Sequence, residues 1–289
     1  MTSPAAPPTT WFVTGTSRGL GLNLVRTLLA EGANVAATTR SEARLLAGLD
    51  GVDTARLLAL EVEVTDESAV GAAIATLQER FGTPDVVVNN AGYGYLGAVE
   101  ETTPDDVRRM FDVQIGGTWN VLRAVLPGLR AAGGGHIINI SSIGVLTNSP
   151  RFSAYVASKA ALDAFSRCAQ AEFSDNGVNF TTINMPLVKT PMIAPTKMYE
   201  SVPTLSPDEA ADIIIEAIIE RPVRIATRLG TFAQVFYALA PRVYEIVMNT
   251  AFRLFPDSSA AKGMKGRAEL EQPTSEQIAV AALMRGIHW

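Results

Sequence analysis

Tyr155 and Lys159 stand four residues apart, a spacing that puts two side chains on one face of a helix. A free phenol has a pKa of about 10, too high to exchange protons readily near neutrality. A lysine ammonium beside it favours the phenolate and lowers that value. The pair could therefore give a proton to an oxygen, or take one from it, as the charge on that oxygen changes. An ordinary amphipathic helix also brings a tyrosine and a lysine together. Ser142 gives the pair company, just past an apolar run at 136–141. Its hydroxyl could donate a hydrogen bond to an oxygen that gains negative charge, although read alone it is a common strand-end hydroxyl.

A second constellation lies near the start. Trp11-Phe12-Val13-Thr14-Gly15-Thr16-Ser17-Arg18-Gly19-Leu20-Gly21 reads as a strand, a glycine-rich turn and the first turn of a helix. Gly15 lets the chain turn sharply, Gly19 lets backbone approach a pyrophosphate, and Gly21 lets helix and strand pack closely. The helix N-terminus adds N–H groups and partial positive charge. A tight strand–helix turn with no ligand would use glycine as well. The next strand ends in Thr38-Thr39-Arg40, without the acid that would bond a ribose 2′-hydroxyl. Arg40 and Arg18 could together clamp a 2′-phosphate, although each alone also reads as a solvated surface charge. The expected cofactor is thus NADP(H).

These groups need a scaffold, and the chain supplies an alternating one. Apolar, β-branched runs at 11–14, 34–39, 55–64, 85–89, 136–141, 179–184 and 223–226 predict strands. Helical periodicity predicts helices near 19–31, 66–80, 104–131, 152–175 and 206–220. Start signals support three of these: Thr65-Asp66, Thr103-Pro104, and Ser206-Pro207-Asp208-Glu209. The alternation predicts an α/β fold: a single Rossmann-type doubly wound parallel sheet with helices on both faces. Ligands of such sheets bind beyond the C-terminal strand ends, where both constellations lie.

Bulk properties narrow the classes. The chain has 289 residues, 47% apolar and 18% charged, which suits an ordered α/β domain. A net charge of −5 argues against nucleic acid as a partner. Cys168 is the only cysteine, which excludes an intrachain disulfide and fits a reducing cytoplasm; its apolar setting predicts a core position. His136 and His288, with one cysteine, cannot build a typical zinc site, so no metal is expected. His136 is expected to be satisfied or exposed rather than a base. No run of 18 apolar residues predicts a spanning helix. Residues 1–10 read as a disordered leader without signal-peptide character, 11–256 as the domain and 257–289 as a loosely ordered tail with a possible short helix at 274–285.

With Thr14-Gly15-x-x-x-Gly19-x-Gly21, Asn89-Asn90-Ala91-Gly92, Ile140-Ser141-Ser142 and Tyr155-x-x-x-Lys159, the sequence resembles the classical short-chain dehydrogenase/reductase family over roughly residues 10–227. The resemblance implies that Ser142, Tyr155 and Lys159 are the catalytic set of a carbonyl reductase. It implies that Ser17, Leu20, Ala91 and Gly92 lie along the cofactor, with Asn90 against its ribose. Val188 and Thr190 would hold the nicotinamide carboxamide. Glu63 with Val64, or Glu61, would stand on the adenine side. It also implies a homodimer or homotetramer built through the helices containing 104–131 and 152–175. Three departures stand out. Leu60–Asp66 has extra residues relative to the family's Asp-Val-Thr-Asp. Met185-Pro186 replaces Pro-Gly. Gln114 replaces an asparagine of the proton relay, so the relay either survives with shifted geometry or activity falls.

Apolar residues near the expected catalytic set predict a hydrophobic carbonyl or alcohol as substrate. They are Tyr93, Tyr95 and Leu96; Ile143, Val145, Leu146 and Phe152; and Met192, Ile193 and Met198. Several would equally serve as core or interface. Local runs in 185–257, among them Met185–Lys197, Val202–Ala211, Arg221–Gly230 and Met248–Asp257, are similar to the reductase domains of bacterial fatty acyl-CoA reductases. That likeness implies a long acyl chain, as thioester or aldehyde. The stretch 229–255 is apolar and predicts a C-terminal helical extension. Packing on its own domain or on a second subunit is favoured over membrane-surface contact. Three readings result: an NADPH-dependent reductase of a hydrophobic aldehyde or ketone, a fatty acyl-CoA reductase, and a cofactor-binding regulatory protein with little turnover.

Overall fold

The computed structural model describes residues 10–95, 97–191, 193 and 203–254. Seven strands form one sheet: β1 (Thr10–Thr14), β2 (Asn34–Thr39), β3 (Leu57–Glu61), β4 (Val86–Asn89), β5 (Gly135–Ile140), β6 (Val178–Asn184) and β7 (Arg224–Ala226). Their spatial order is β3-β2-β1-β4-β5-β6-β7, and every pairing is parallel. The chain winds outward from β1 to β3, then returns to β4 and winds the other way. The switch between β1 and β4 opens a crevice at the carboxyl ends of the strands, the usual ligand position in such sheets.

The helices are α1 (Gly19–Ala30), α2 (Glu42–Gly48), α3 (Glu67–Phe81), α4 (Pro104–Phe111), α5 (Gly117–Ala131), α6 (Gly144–Thr147), α7 (Ser153–Phe173), α8 (Pro207–Glu220), α9 (Arg228–Leu239) and α10 (Pro241–Leu254). Period-2 alternation divides the strand side chains between two cores. Val13, Val35, Val86 and Ile138 pack with Leu24 and Leu28 of α1 and Ile214 of α8. Phe12, Ala36, Val87 and Ile137 go to the other face, with Ile74 and Leu77 of α3 and Leu122 of α5. Because both faces are covered, central strands such as β1 and β4 read as near-continuous apolar runs rather than alternating ones. The expected helix starts are built as caps. Asp66 accepts from the Ala69 N–H, Thr103 from Asp106, and Ser206 forms a reciprocal capping box with Glu209.

Several elements differ from the sequence reading. The strand expected at 55–64 is only Leu57–Glu61, and α2 and α6 carry too few turns to show a period. The helix expected at 104–131 is interrupted by a π-helical turn at Asp112–Gly116 between α4 and α5, a device that often marks functional sites. The apolar stretch 229–255 divides at Ala240, where Pro241 starts α10 without needing an amide partner. Cys168 is exposed, not core. Helix α7 buries Ser166 and Ala169, and Cys168 falls on the opposite side of that turn.

Candidate active site

The loop after β1 is shaped by its glycines. Gly15 has φ +72°, and a Cβ there would lie 2.7 Å from the Ala91 Cα. A Cβ on Gly21 would lie 2.4 Å from the Gly15 carbonyl and 2.5 Å from Asn90 Nδ2. At Gly19 (φ +59°) a Cβ would meet only Thr190, at 3.4 Å, so this backbone faces the open cleft. The loop is tied to its neighbours. Gly15 N donates to the Thr38 carbonyl (3.0 Å), and Thr14 Oγ1 accepts from the N–H groups of Asn90 and Ala91 (3.0 Å each). Asn90 Nδ2 donates to the carbonyls of Thr14 (2.9 Å) and Gly15 (3.1 Å), so its amide hydrogens serve the loop itself.

Ser142 follows β5, and Tyr155 and Lys159 lie one turn apart on α7. The Ser142 hydroxyl hydrogen-bonds the Tyr155 phenol and accepts from Gly144 N at 3.1 Å. Lys159 is buried, and its Nζ donates to the Ile140 carbonyl at 2.7 Å. Burial lowers its pKa to about 8, with the Asp163 carboxylate one turn on opposing the shift. Burial pushes the Tyr155 phenol above its usual value, and the Ser142 hydrogen bond works the other way. The expected lowering of the phenol by the ammonium is therefore not what dominates. Desolvation sets the direction, and Lys159 points at a carbonyl. Asp163 is itself buried and accepts from Asn184 Nδ2 at 2.9 Å.

The glycine loop and the Ser142, Tyr155 and Lys159 group line one cleft of about 920 Å³. Of the expected cofactor residues, Gly15, Ser17, Arg18, Gly19, Leu20, Gly21, Arg40, Glu63, Val64, Asn90, Ala91, Gly92, Val188 and Thr190 line it, together with Ser142, Tyr155 and Lys159. Glu63, not Glu61, reaches the cleft, because Glu61 turns to accept from the Glu42 N–H at the start of α2. Arg40 Nη1 lies 4.0 Å from Glu63 Oε2, with both side chains largely exposed. Tyr93, Ile143, Phe152 and Ile193, expected beside a substrate, also line the cleft.

Other expectations need correction. Leu146 is 1% exposed and packs under Gly230 of α9, so α6 turns it away from the cleft. Tyr95 is not a lining residue. Its hydroxyl reaches the Glu101 carbonyl instead (3.5 Å). Met192, Leu96 and Met198 lie outside the described residues. Gln114 sits in the π turn, buried, and donates to the Tyr93 carbonyl at 2.8 Å, while its Oε1 is buried without a hydrogen-bond partner. It supports the wall rather than lining it. His136 is buried and satisfied at Nε2, 2.8 Å from Thr181 Oγ1, far from proton exchange at the cleft because burial pushes its pKa down to about 4.

The sequence reading missed the wall made by Asp105, Arg108, Arg109, Asp112, Gly116 and Asn120. Their spacing of three to four residues was the available signal. Arg109 stands over the Tyr93 ring at 4.8 Å, and Asn120 Nδ2 donates to the Val64 carbonyl at 3.0 Å. The assembled cleft offers a backbone cradle for a pyrophosphate, guanidinium groups for a further phosphate, and a hydroxyl pair with a buried ammonium for proton exchange. Among the described residues no cluster of histidine, cysteine and carboxylate side chains could hold a metal.

Comparison with known proteins agrees with this architecture. The chain is 43% identical over 282 residues to a fatty acyl-CoA reductase of Acinetobacter baylyi, covering 96% of this chain and 94% of the relative. It is 36% identical over 242 residues to a fatty acyl-CoA reductase of Mycobacterium tuberculosis, covering 82% of each. A crystal structure of a short-chain dehydrogenase from Streptomyces avermitilis superposes with a TM-score of 0.72 at 27% identity, covering 85% of this chain and 98% of that one. The short chain dehydrogenase family profile matches residues 9–200, and with the cleft, the sheet order and the full-length relatives in agreement the chain belongs to that family of oxidoreductases.

Proposed function

We propose that the protein is an NADPH-dependent reductase of a hydrophobic carbonyl compound, with a long-chain fatty acyl-CoA as its specific substrate. The observation that carries the reading is the single cleft that joins the glycine cradle and both arginines to Ser142, Tyr155 and Lys159. The likeness along nearly the whole chain to two fatty acyl-CoA reductases supports the acyl substrate.

The cleft fits a phosphorylated nicotinamide dinucleotide. Gly19 leaves its backbone open where a side chain would stand, Arg18 and Arg40 replace the acid that would repel a 2′-phosphate, and Val188 and Thr190 line the same cleft as Lys159. When bound, the dihydronicotinamide supplies a hydride to the substrate carbon. Tyr155 donates the proton that the carbonyl oxygen takes up, and Ser142 stabilises that oxygen by hydrogen bonding as its charge grows. Lys159, which donates to the Ile140 carbonyl, would hold a ribose hydroxyl when the cofactor is bound and would return a proton from solvent to Tyr155. With a thioester, the product of this addition is a hemithioacetal. Its carbon–sulfur bond breaks, leaving the aldehyde and the CoA thiol, so one NADPH and one proton are consumed per thiol released.

The test is NADPH consumption with a long-chain acyl-CoA, a long-chain aldehyde and a bulky ketone in parallel. Oxidation with the acyl-CoA, matched by free thiol one for one, is expected. Oxidation only with the aldehyde or ketone would reject the thioester and keep the carbonyl reductase. An NADPH-induced rise in melting temperature with no oxidation at all would favour the regulatory reading, for which Gln114 and Met185-Pro186 are the specific features.

A further inference from the structure

Helices α9 and α10 carry an unusual share of the exposed apolar surface. Of the large apolar side chains that are exposed among the described residues, Phe232, Val235, Tyr237, Leu239, Val243, Ile246, Val247 and Phe252 lie in these two helices, and only five lie anywhere else. They are not scattered. On α9, Phe232, Val235 and Leu239 follow an i, i+3, i+7 stripe, and on α10, Val243, Ile246 and Val247 follow an i, i+3, i+4 stripe. Each helix rests its other side on the same support. A Cβ at Gly230 of α9 would touch Leu146 and Ile143 of the α6 region, and Tyr244 of α10 bonds the Thr147 carbonyl of α6 while its ring packs on Phe236. The inner stripes share one short helix, so the outer stripes turn away from it together.

The charge on this face differs from that of the rest of the molecule. Residues 221–254 hold five arginines and one glutamate, in a chain whose net charge is −5. Arg228 and Arg242 are exposed at the starts of α9 and α10, beside the apolar stripes. An apolar stripe edged by arginines is the pattern of a helix lying in a membrane interface, where side chains enter the acyl boundary and cations meet anionic headgroups. No described helix is long and apolar enough to cross a membrane, and the pattern here is that of a surface contact. The acidic remainder of the chain would be repelled by an anionic surface, which orients the molecule with this hairpin towards it.

We infer that the α9–α10 hairpin docks the protein on an anionic lipid surface. The position has a use that rests on the acyl reading above: Ile143, which meets Gly230 of α9, also lines the cleft. The hairpin would thus set the cleft mouth beside the bilayer in which long-chain aldehydes and acyl groups reside.

The experiment is co-sedimentation of the full chain with phosphatidylcholine vesicles, with and without phosphatidylglycerol, read without any turnover so that it is independent of the substrate. Binding to the anionic vesicles is expected, weakened by salt. The double variant Val243→Asp, Ile246→Asp should bind at least about tenfold more weakly, with an unchanged melting temperature. Arg228→Gln with Arg242→Gln should remove mainly the salt-sensitive part. Failure of the wild-type chain to bind either vesicle overturns the inference. So does gel filtration in which the Val243→Asp, Ile246→Asp chain falls from dimer to monomer, because the face would then belong to a second copy.

Discussion

The pair Tyr155 and Lys159 shows how little each side chain could do alone. Burial raises the phenol and lowers the ammonium, so in the free enzyme both drift towards their neutral forms. Removing the phenol hydroxyl tests the first role: Tyr155→Phe should lower turnover at least about a thousandfold while the NADPH-induced rise in melting temperature persists. Retained turnover would end the assignment. The second role is tested by pH. Lys159 has a folded pKa of about 8, so its ammonium is present below that value and is lost above it. As kcat/KM reports groups of the free enzyme, it should fall as pH rises through about 8. Asp163 opposes the lowering from one turn away, and Asn184 holds it in place. Asp163→Asn should therefore move the alkaline limb to lower pH, and Asp163→Glu should leave it nearly in place. An unmoved limb in the Asn variant would mean that Lys159 does not feel this carboxylate. At the other end of the cleft, Arg40 now faces Glu63 across 4.0 Å in an exposed and therefore weak pair. Arg40→Ala should raise the KM for NADPH by about tenfold or more and leave NADH unaffected, whereas equal effects on both would remove the 2′-phosphate argument.

At the scale of elements, the glycine loop was the most legible part of the sequence because sterics at Gly15 and Gly21 leave no other residue room. Gly21→Ala would set a Cβ 2.4 Å from the Gly15 carbonyl. The backbone must then move, with an expected loss of about 1–3 kcal/mol and of the NADPH-induced rise in melting temperature. A variant with wild-type melting and binding would contradict the packing described here. Strands β2 and β6 were readable to within a residue because each is a short run rich in β-branched residues set between helical segments. The π turn at Asp112–Gly116 was not readable. An extra residue in one turn leaves the apolar period on either side intact, and only the buried Gln114, reaching the Tyr93 carbonyl, reveals it. Leu146 and Tyr95 were misplaced for a related reason. Nearness in sequence to Ser142 or to the Asn-Ala-Gly turn does not say which way a short helix or an irregular loop points its side chains. The substrate end is built from such segments, and there the sequence carried composition but not direction.

For the whole molecule, the sheet that builds the cleft also stores a pH dependence in its middle. His136 opens the run of β5 that ends near Ser142, is 1% exposed, and holds Thr181 of the neighbouring β6, which in turn donates to the Pro222 carbonyl before β7. Three adjacent strands are thus linked by one neutral imidazole whose Nδ1 has no hydrogen-bond partner. Burial, with Arg221 nearby, lowers its pKa from 6.5 to about 4. The unfolded chain therefore binds a proton between these values that the folded chain does not, and stability must fall as pH drops through that window. The full difference corresponds to about 3 kcal/mol, a large part of the roughly 5–15 kcal/mol that holds a domain folded. Urea unfolding at pH 7.5, 5.5 and 4 should show this loss in the wild-type chain. His136→Gln, which can keep a hydrogen bond to Thr181, should be less stable at neutral pH yet lose less on acidification. If both proteins lost the same stability between pH 6.5 and 4, the acid sensitivity would belong to surface carboxylates and not to the strand that leads to Ser142.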